Sequence, residues 1–376
     1  MKVRLNFILL IVLVASIMPA TGLYAAPSLR KNVKQAEKMA SEPSKHTEAR
    51  KLMKATLADT LFVPDAYTWN VFALIERESY KHYYKRLSIN RNDPSVDLCV
   101  MADALMDAYD YSLHCMALDS IKDKKGNLRV KYSPALADWI NKSVPAIYNA
   151  GIAYMNKKKY WPQAYSSFIK FASMPEMPFY VDNGEIGDSI RANAYFYGGV
   201  MAYNSGHYSE AFSAFEKARC HGYTRKEVYL NQISSLSHLA RTDTMRRDSL
   251  SHIITKIAQE GLRLHGVKNT PVFIQKYVAG TLIEGHPNEA LAAIDTALLT
   301  QPEMTMLHSM KAGVLASIGD NESAVTEYKI AANSPQADTL TLKNASKFLA
   351  EYGISLLDAV SGRNKQARAR LSLIHI

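Results

Sequence analysis

Two histidine–cysteine neighbours, His114–Cys115 and Cys220–His221, and one acidic row, Asp103, Asp107 and Asp110, are the residue types here that could do chemistry. Thiolate and imidazole together suit zinc, but adjacent helical residues point about 100° apart, so neither pair makes a clamp. The aspartates fall at helical spacing and read as a solvated face. The sequence contains no His-Glu-x-x-His, Gly-x-Ser-x-Gly, Cys-x-x-Cys or phosphate-binding glycine loop. No enzyme, metal or cofactor is therefore expected, and the chemistry to look for is that of binding.

Binding needs elements that present side chains together, and these show as an internal repeat. Gly285, Ala290, Ile294 and Ala297 recur 34 residues later as Gly319, Ala324, Tyr328 and Ala331. Gly206, Ala211, Phe215 and Ala218 keep the same internal spacing, and Gly151, Tyr154, Ala164, Phe168 and Ala172 form a looser copy. Each unit reads as two antiparallel helices. Small residues (Gly151, Gly199, Ala312) mark their close approach, a glycine marks the turn, and Ala-x-x-x-aromatic lies on one face of the second helix. Segment 225–266 reads as a further, degenerate pair, and 338–353 as the opening of another. Trp69-x-x-Phe72-Ala73 reads as a first helix, following Ala49-x-x-x-Met53 on the second helix of the pair before it. The 47 residues from Ala164 to Ala211 imply about 13 inserted around 175–187. The polar, tyrosine-rich 79–96 and the lysine-rich 122–131 read as long connections.

This pattern resembles the tetratricopeptide repeat family, strongly over 195–220 and 274–333 and moderately over 147–175. The resemblance implies an all-α fold, a right-handed superhelical solenoid of antiparallel helix pairs with an irregular N-terminal third. It implies degenerate repeats over 26–132, the solenoid proper over 133–353 and a truncated repeat over 354–370. First helices would line a concave groove, placing Tyr148, Asn149, Ile152, Asn156, Asn193, Phe196, Val200, Tyr203, Asn204 and Gln275 on it, with Ala279 and Leu282 beside them. Relatives that clamp a chaperone's terminal carboxylate use paired Lys with Asn or Arg there, and this set mostly lacks the cations. The partner expected is a protein or an extended peptide, its backbone met by amides and its side chains by aromatic pockets. The alternative is a small ligand, a peptide or glycan fragment, in a tyrosine-rich groove.

Compartment follows from the ends. Lys2 and Arg4, the uncharged apolar run 7–18, Pro19 and Gly22, then Ala25 and Ala26 form a secretory signal, with cleavage expected after Ala25. No stable membrane span would remain. No cysteine follows the apolar run until Cys99, so a lipoprotein anchor is not expected. Residues 371–376, Leu-Ser-Leu-Ile-His-Ile, match what a transposase-library adapter encodes in frame, so the natural sequence is expected to continue differently after Arg370. The chain's 48% apolar and 21% charged residues exclude disorder, and 17 Gly and 14 Pro exclude a collagenous chain. Its formal +10, less Lys2 and Arg4, leaves +8, dispersed over the chain without a basic run for nucleic acid.

Seven of the 18 aspartates precede Ser or Thr and then an aliphatic residue. The signal and the repeats also resemble exported tetratricopeptide proteins of Bacteroidota, which carry O-glycans at such sites. That resemblance implies a periplasmic glycoprotein with acceptors at Thr60, Ser120, Ser189, Thr244, Ser249 and Thr339, most of them between helices. Thr296 falls inside a helical stretch. Helix capping by Asp accounts for the same pairs without sugar.

Overall fold

The computed structural model describes residues 27–119, 126, 130–182, 184, 186–268 and 270–361. The expected signal, Ser120 and the tail 371–376 lie outside them. Fifteen α-helices run through the described residues, and no strand occurs among them. They divide into two compact units: one reaches Asn156 and takes back Met174–Asp182, and the other holds Lys157–Ser173 and the chain from Asn183 onward. The boundary at 132/133 marks where the repeat spacing becomes regular, a different property from compactness.

The first unit packs α1 (Pro27–Met39), α2 (His46–Ala58), α3 (Ala66–Ile89), α4 (Leu98–Asp119) and α5 (Ser133–Met155) in succession. Val33 and Ala36 of α1, Ala49 and Met53 of α2, and Val71, Phe72 and Ile75 of α3 form its core. Trp69 closes it, stacked on His114 with ring centroids 4.6 Å apart. Asp65 caps α3 by accepting from the Thr68 N–H at 2.9 Å. The expected connection over 79–96 is corrected: α3 runs to Ile89, and only 90–97 connects. No Gly or Pro interrupts 66–93, and the polarity that suggested a loop belongs to the wet side of one long helix.

At the start of α5 the Asp119 carboxylate accepts from the backbone N–H groups of Lys131, Tyr132 and Ser133 at 2.8–3.1 Å. Burial opposes the charge there, yet these bonds and the Ser133 hydroxyl hold the carboxyl below its usual range. Farther along, Asn141 donates to the Phe179 carbonyl at 3.1 Å and accepts from the Val181 N–H at 3.0 Å. That double latch holds the inserted stretch 174–182 on α5.

The second unit begins with α6 (Trp161–Ser173) and continues as pairs. These are α7 (Asp188–Asn204) with α8 (Tyr208–Cys220), α9 (Lys226–Thr242) with α10 (Arg247–His265), α11 (Pro271–Ile283) with α12 (Pro287–Thr300), and α13 (Thr305–Ser317) with α14 (Asn321–Asn333). A single α15 (Thr339–Ser361) follows and runs unbroken through the expected break at 353. Within this unit each helix packs on the next along the chain, while α7 also meets α9 and α13 meets α15, so these first helices lie beside first helices. This is the tetratricopeptide-like array that the spacing predicts. Gly206 turns between α7 and α8 at φ +80°, which a side chain would strain. Gly199 marks the close approach: a Cβ there would meet the Phe215 ring at 2.6 Å. Ala211, Phe215, Ala290, Ile294, Ala324 and Ala331 are fully buried.

Candidate interaction surfaces

In the first unit α3, the start of α4 and one flank of α5 enclose an open trough of about 670 Å³. Tyr80 and Tyr84 come from α3, one turn apart, with ring centroids 6.0 Å from each other. Leu98, Met101 and Leu105 come from α4, and Pro145, Asn149, Ile152 and Asn156 from α5 and its end. Tyr84, Leu98 and Ile152 are 58%, 52% and 39% exposed, large apolar side chains left to water along one trough. Asn149 and Asn156 are exposed between them. Pro145 has no N–H, so α5 lacks the bond that residue would give to the carbonyl of Asn141.

Three residues expected on a groove from the sequence, Asn149, Ile152 and Asn156, therefore come together. Tyr148 is half-buried and is not on the trough wall. Leu98 was not singled out, and Tyr80 and Tyr84 escaped the sequence reading because their segment read as a connection. Their signal was present as the Tyr80-x-x-x-Tyr84 spacing of one helix face.

The first helices of the second unit treat their candidates differently. Phe196 is half-buried and stacks on Tyr223 at 4.4 Å with planes 11° apart. Tyr203 sits edge-on to Tyr208 at 5.3 Å and to His238 at 5.8 Å. Asn193 and Val200 are half-buried, whereas Asn204, at the end of α7, is exposed. These aromatics join α7 to α8 and α9. Gln275 is exposed, with its Nε2 3.0 Å from the Met306 sulfur. A second trough of about 580 Å³ lies over α10, α11 and α12 and is lined largely by Lys256, Gln259, Glu260, Arg263 and Glu289.

The residues with chemical potential are spent on packing. The Cys115 thiol is buried, pushed up to about 12 by burial, and donates to the Ala66 carbonyl at 3.1 Å. Its neighbour His114 stacks on Trp69. His221 holds Asp188 at 3.0 Å and stacks on Tyr195. Among the described residues no group of His, Cys, Asp or Glu is placed to hold a metal ion. Asp103, Asp107 and Asp110 are half-buried, which corrects the solvated face expected of them. Asp103 accepts from the Tyr154 hydroxyl at 2.7 Å. Asp107 is pushed up to about 6 by burial and by the Glu76 carboxylate, itself clasped by Arg50 at 2.6 and 2.7 Å.

The acceptor positions separate by place. Thr60 and Thr244 are exposed between helices, but Ser189, Ser249 and Thr339 are exposed within first helical turns, which corrects the expectation that most lie in connections. Thr296 lies inside α12, as expected. Asp338 accepts from the Thr341 N–H at 2.7 Å and so caps α15, whereas Asp243 accepts from the Arg246 N–H at 3.1 Å within the turn before α10.

No protein-family model matches the chain, and no curated protein matches it. Solved structures do. The chain is similar to YrrB, a TPR protein with an unusual peptide-binding site, at 17% identity over 57% of this chain and 97% of that one, with a TM-score of 0.40. A TPR protein of Thermus thermophilus is 13% identical over 55% of this chain and 99% of its own, with a TM-score of 0.33. Human IFIT1, crystallised with m7Gppp-AAAA, is 11% identical over 88% of this chain and 82% of its own, with a TM-score of 0.36. None of these likenesses carries a ligand or partner to this chain.

Proposed function

We propose that the protein is a non-catalytic interaction scaffold whose first unit takes an extended protein or peptide segment in the trough between α3 and α5. The observation that carries this is the convergence of exposed Tyr84, Leu98 and Ile152 with the exposed amides of Asn149 and Asn156. Apolar side chains give a segment pockets, and amides give its backbone partners. The trough's volume also suits a small peptide or glycan fragment, which is the second reading.

The test begins with capture of a partner from the native host and ends with titration of its fragments. A partner segment is expected to lose about tenfold or more in affinity for Ile152→Asp, through a buried, unpaired carboxylate. Tyr203→Ala with Asn204→Ala, on α7, should leave its affinity unchanged. Equal binding to wild type and Ile152→Asp would overturn the trough. The location proposed is the bacterial envelope, on the strength of Lys2, Arg4, the run 7–18 and Ala25. Intact mass of the protein from its own host would show an N-terminus at Ala26, and sugar adducts if Thr60 or Thr244 is modified.

A further inference from the structure

Positive charge gathers on the first two helices of the first unit. Residues 27–58, which carry α1 and α2, hold eight Lys and Arg against three Glu. That excess makes up most of the +8. Lys31, Lys34 and Lys38 lie within about 60° of one another around α1 and span about 10 Å along it. All three are exposed, and none is held in an ion pair among the described residues. Val33 and Ala36, buried in the core, occupy the opposite side of the helix. Exposed Gln35 alone stands among the lysines, and no aromatic does. The row therefore offers point charges and no shape to be read.

A second feature adjoins it. The loop between α2 and α3 turns Leu61 and Val63 out to water, 58% and 42% exposed, around a Phe62 buried in the core. Asp59 holds the loop's start: its carboxylate accepts from the Leu61 N–H at 2.9 Å and its carbonyl from the Phe62 N–H at 3.0 Å. At the loop's end Asp65 accepts from Arg30 at 3.0 Å, which ties it to the first turn of α1. Asn32 donates to Thr56 at 3.4 Å, just ahead of the loop. The aliphatic tip and the start of the lysine row thus lie at one end of the unit. Lysines seek anions, whereas exposed Leu and Val gain by leaving water. A bilayer with anionic headgroups supplies both. Nucleic acid or an acidic peptide would answer the lysines and leave Leu61 and Val63 wet. The apolar side of α1 is spent on the core, so the loop is what can enter an interface.

We infer that this end of the first unit rests on an anionic lipid surface, with Lys31, Lys34 and Lys38 over the headgroups and Leu61 and Val63 in the interface. The full chain, purified after export, is sedimented with vesicles of phosphatidylcholine alone or with about a third phosphatidylglycerol. A sugar on Thr60 would crowd Leu61, so the protein used is one whose intact mass shows none. Binding is expected to need phosphatidylglycerol and to weaken with salt. Lys31→Gln with Lys34→Gln and Lys38→Gln should lower the partition coefficient about a hundredfold, near fivefold for each charge lost. Lys256→Gln with Lys276→Gln and Lys343→Gln removes the same charge from exposed sites of the second unit, and should change it less than about threefold. Leu61→Asn with Val63→Asn should cost about tenfold or more. Every one of these side chains is exposed, and unchanged melting temperatures would show the fold intact. Equal binding to both kinds of vesicle, or equal losses in the two lysine triples, would overturn the inference. So would lysine-dependent binding that ignores Leu61→Asn with Val63→Asn, which would make an acidic macromolecule the partner.

Discussion

Burial, and the neighbouring carboxylates of Glu76, Asp103 and Asp110, disfavour the charged form of Asp107 more than the cations Lys54 and Arg50 favour it. The folded protein therefore binds that proton more tightly than the unfolded chain does, from the ordinary carboxylate range up to about pH 6. Stability from this group is complete at low pH and is lost as pH rises through about 6. Asp107→Asn should stabilise the protein by about 1 kcal/mol at pH 7.5, a figure reduced because the side chain is only half-buried. The gain should vanish near pH 4, and denaturant melts at the two pH values read the difference. A gain that is the same at both would remove the electrostatic account. The spacing of the three aspartates was visible in the sequence, but their burial was not. Which side of α4 turns toward α2 and α3 is decided by packing between helices, and a single helix's pattern does not carry it.

Helices were legible where glycine, alanine and an aromatic recur at fixed offsets, because turn strain and close packing restrict those positions to few residue types. That is why α7 to α14 match the spacing, degenerate α9 and α10 included. Helix α3 was half hidden: Tyr80 to Arg86 is polar enough to read as a connection, and the trough wall went unseen with it. The inserted stretch was legible in length but not in attachment. Asn141 holds it by two bonds, to Phe179 and Val181. Asn141→Ala removes both partners and should cost about 1–3 kcal/mol. Limited proteolysis would report it as faster cleavage within 174–182, with the helices of the first unit cleaved no faster. Unchanged cleavage would mean that the latch is not what fixes the stretch.

Stability in the second unit is held by contacts between chain neighbours, since each of its helices packs chiefly on the one before and the one after. In such an array a local defect spreads over adjoining pairs and fades, whereas a single closed core would share it throughout. Gly199 gives a clean place to test this. Any side chain there begins 2.6 Å from Cε1 of Phe215, whose ring is fully buried. Gly199→Val gains roughly half a kcal/mol of helix propensity but should lose about 1–3 kcal/mol to overpacking, and so destabilise on balance. Hydrogen exchange should accelerate in α7, α8 and α9, while α13 and α14, and separately α1 and α2, keep their wild-type protection. If protection instead fell equally in all of these helices, the chain would unfold as one cooperative body, and the repeat spacing would describe its ancestry more than its energetics. Localised loss would mean that the trough of the first unit can be altered without disturbing the far pairs, the property that lets an array of this kind exchange one binding surface at a time.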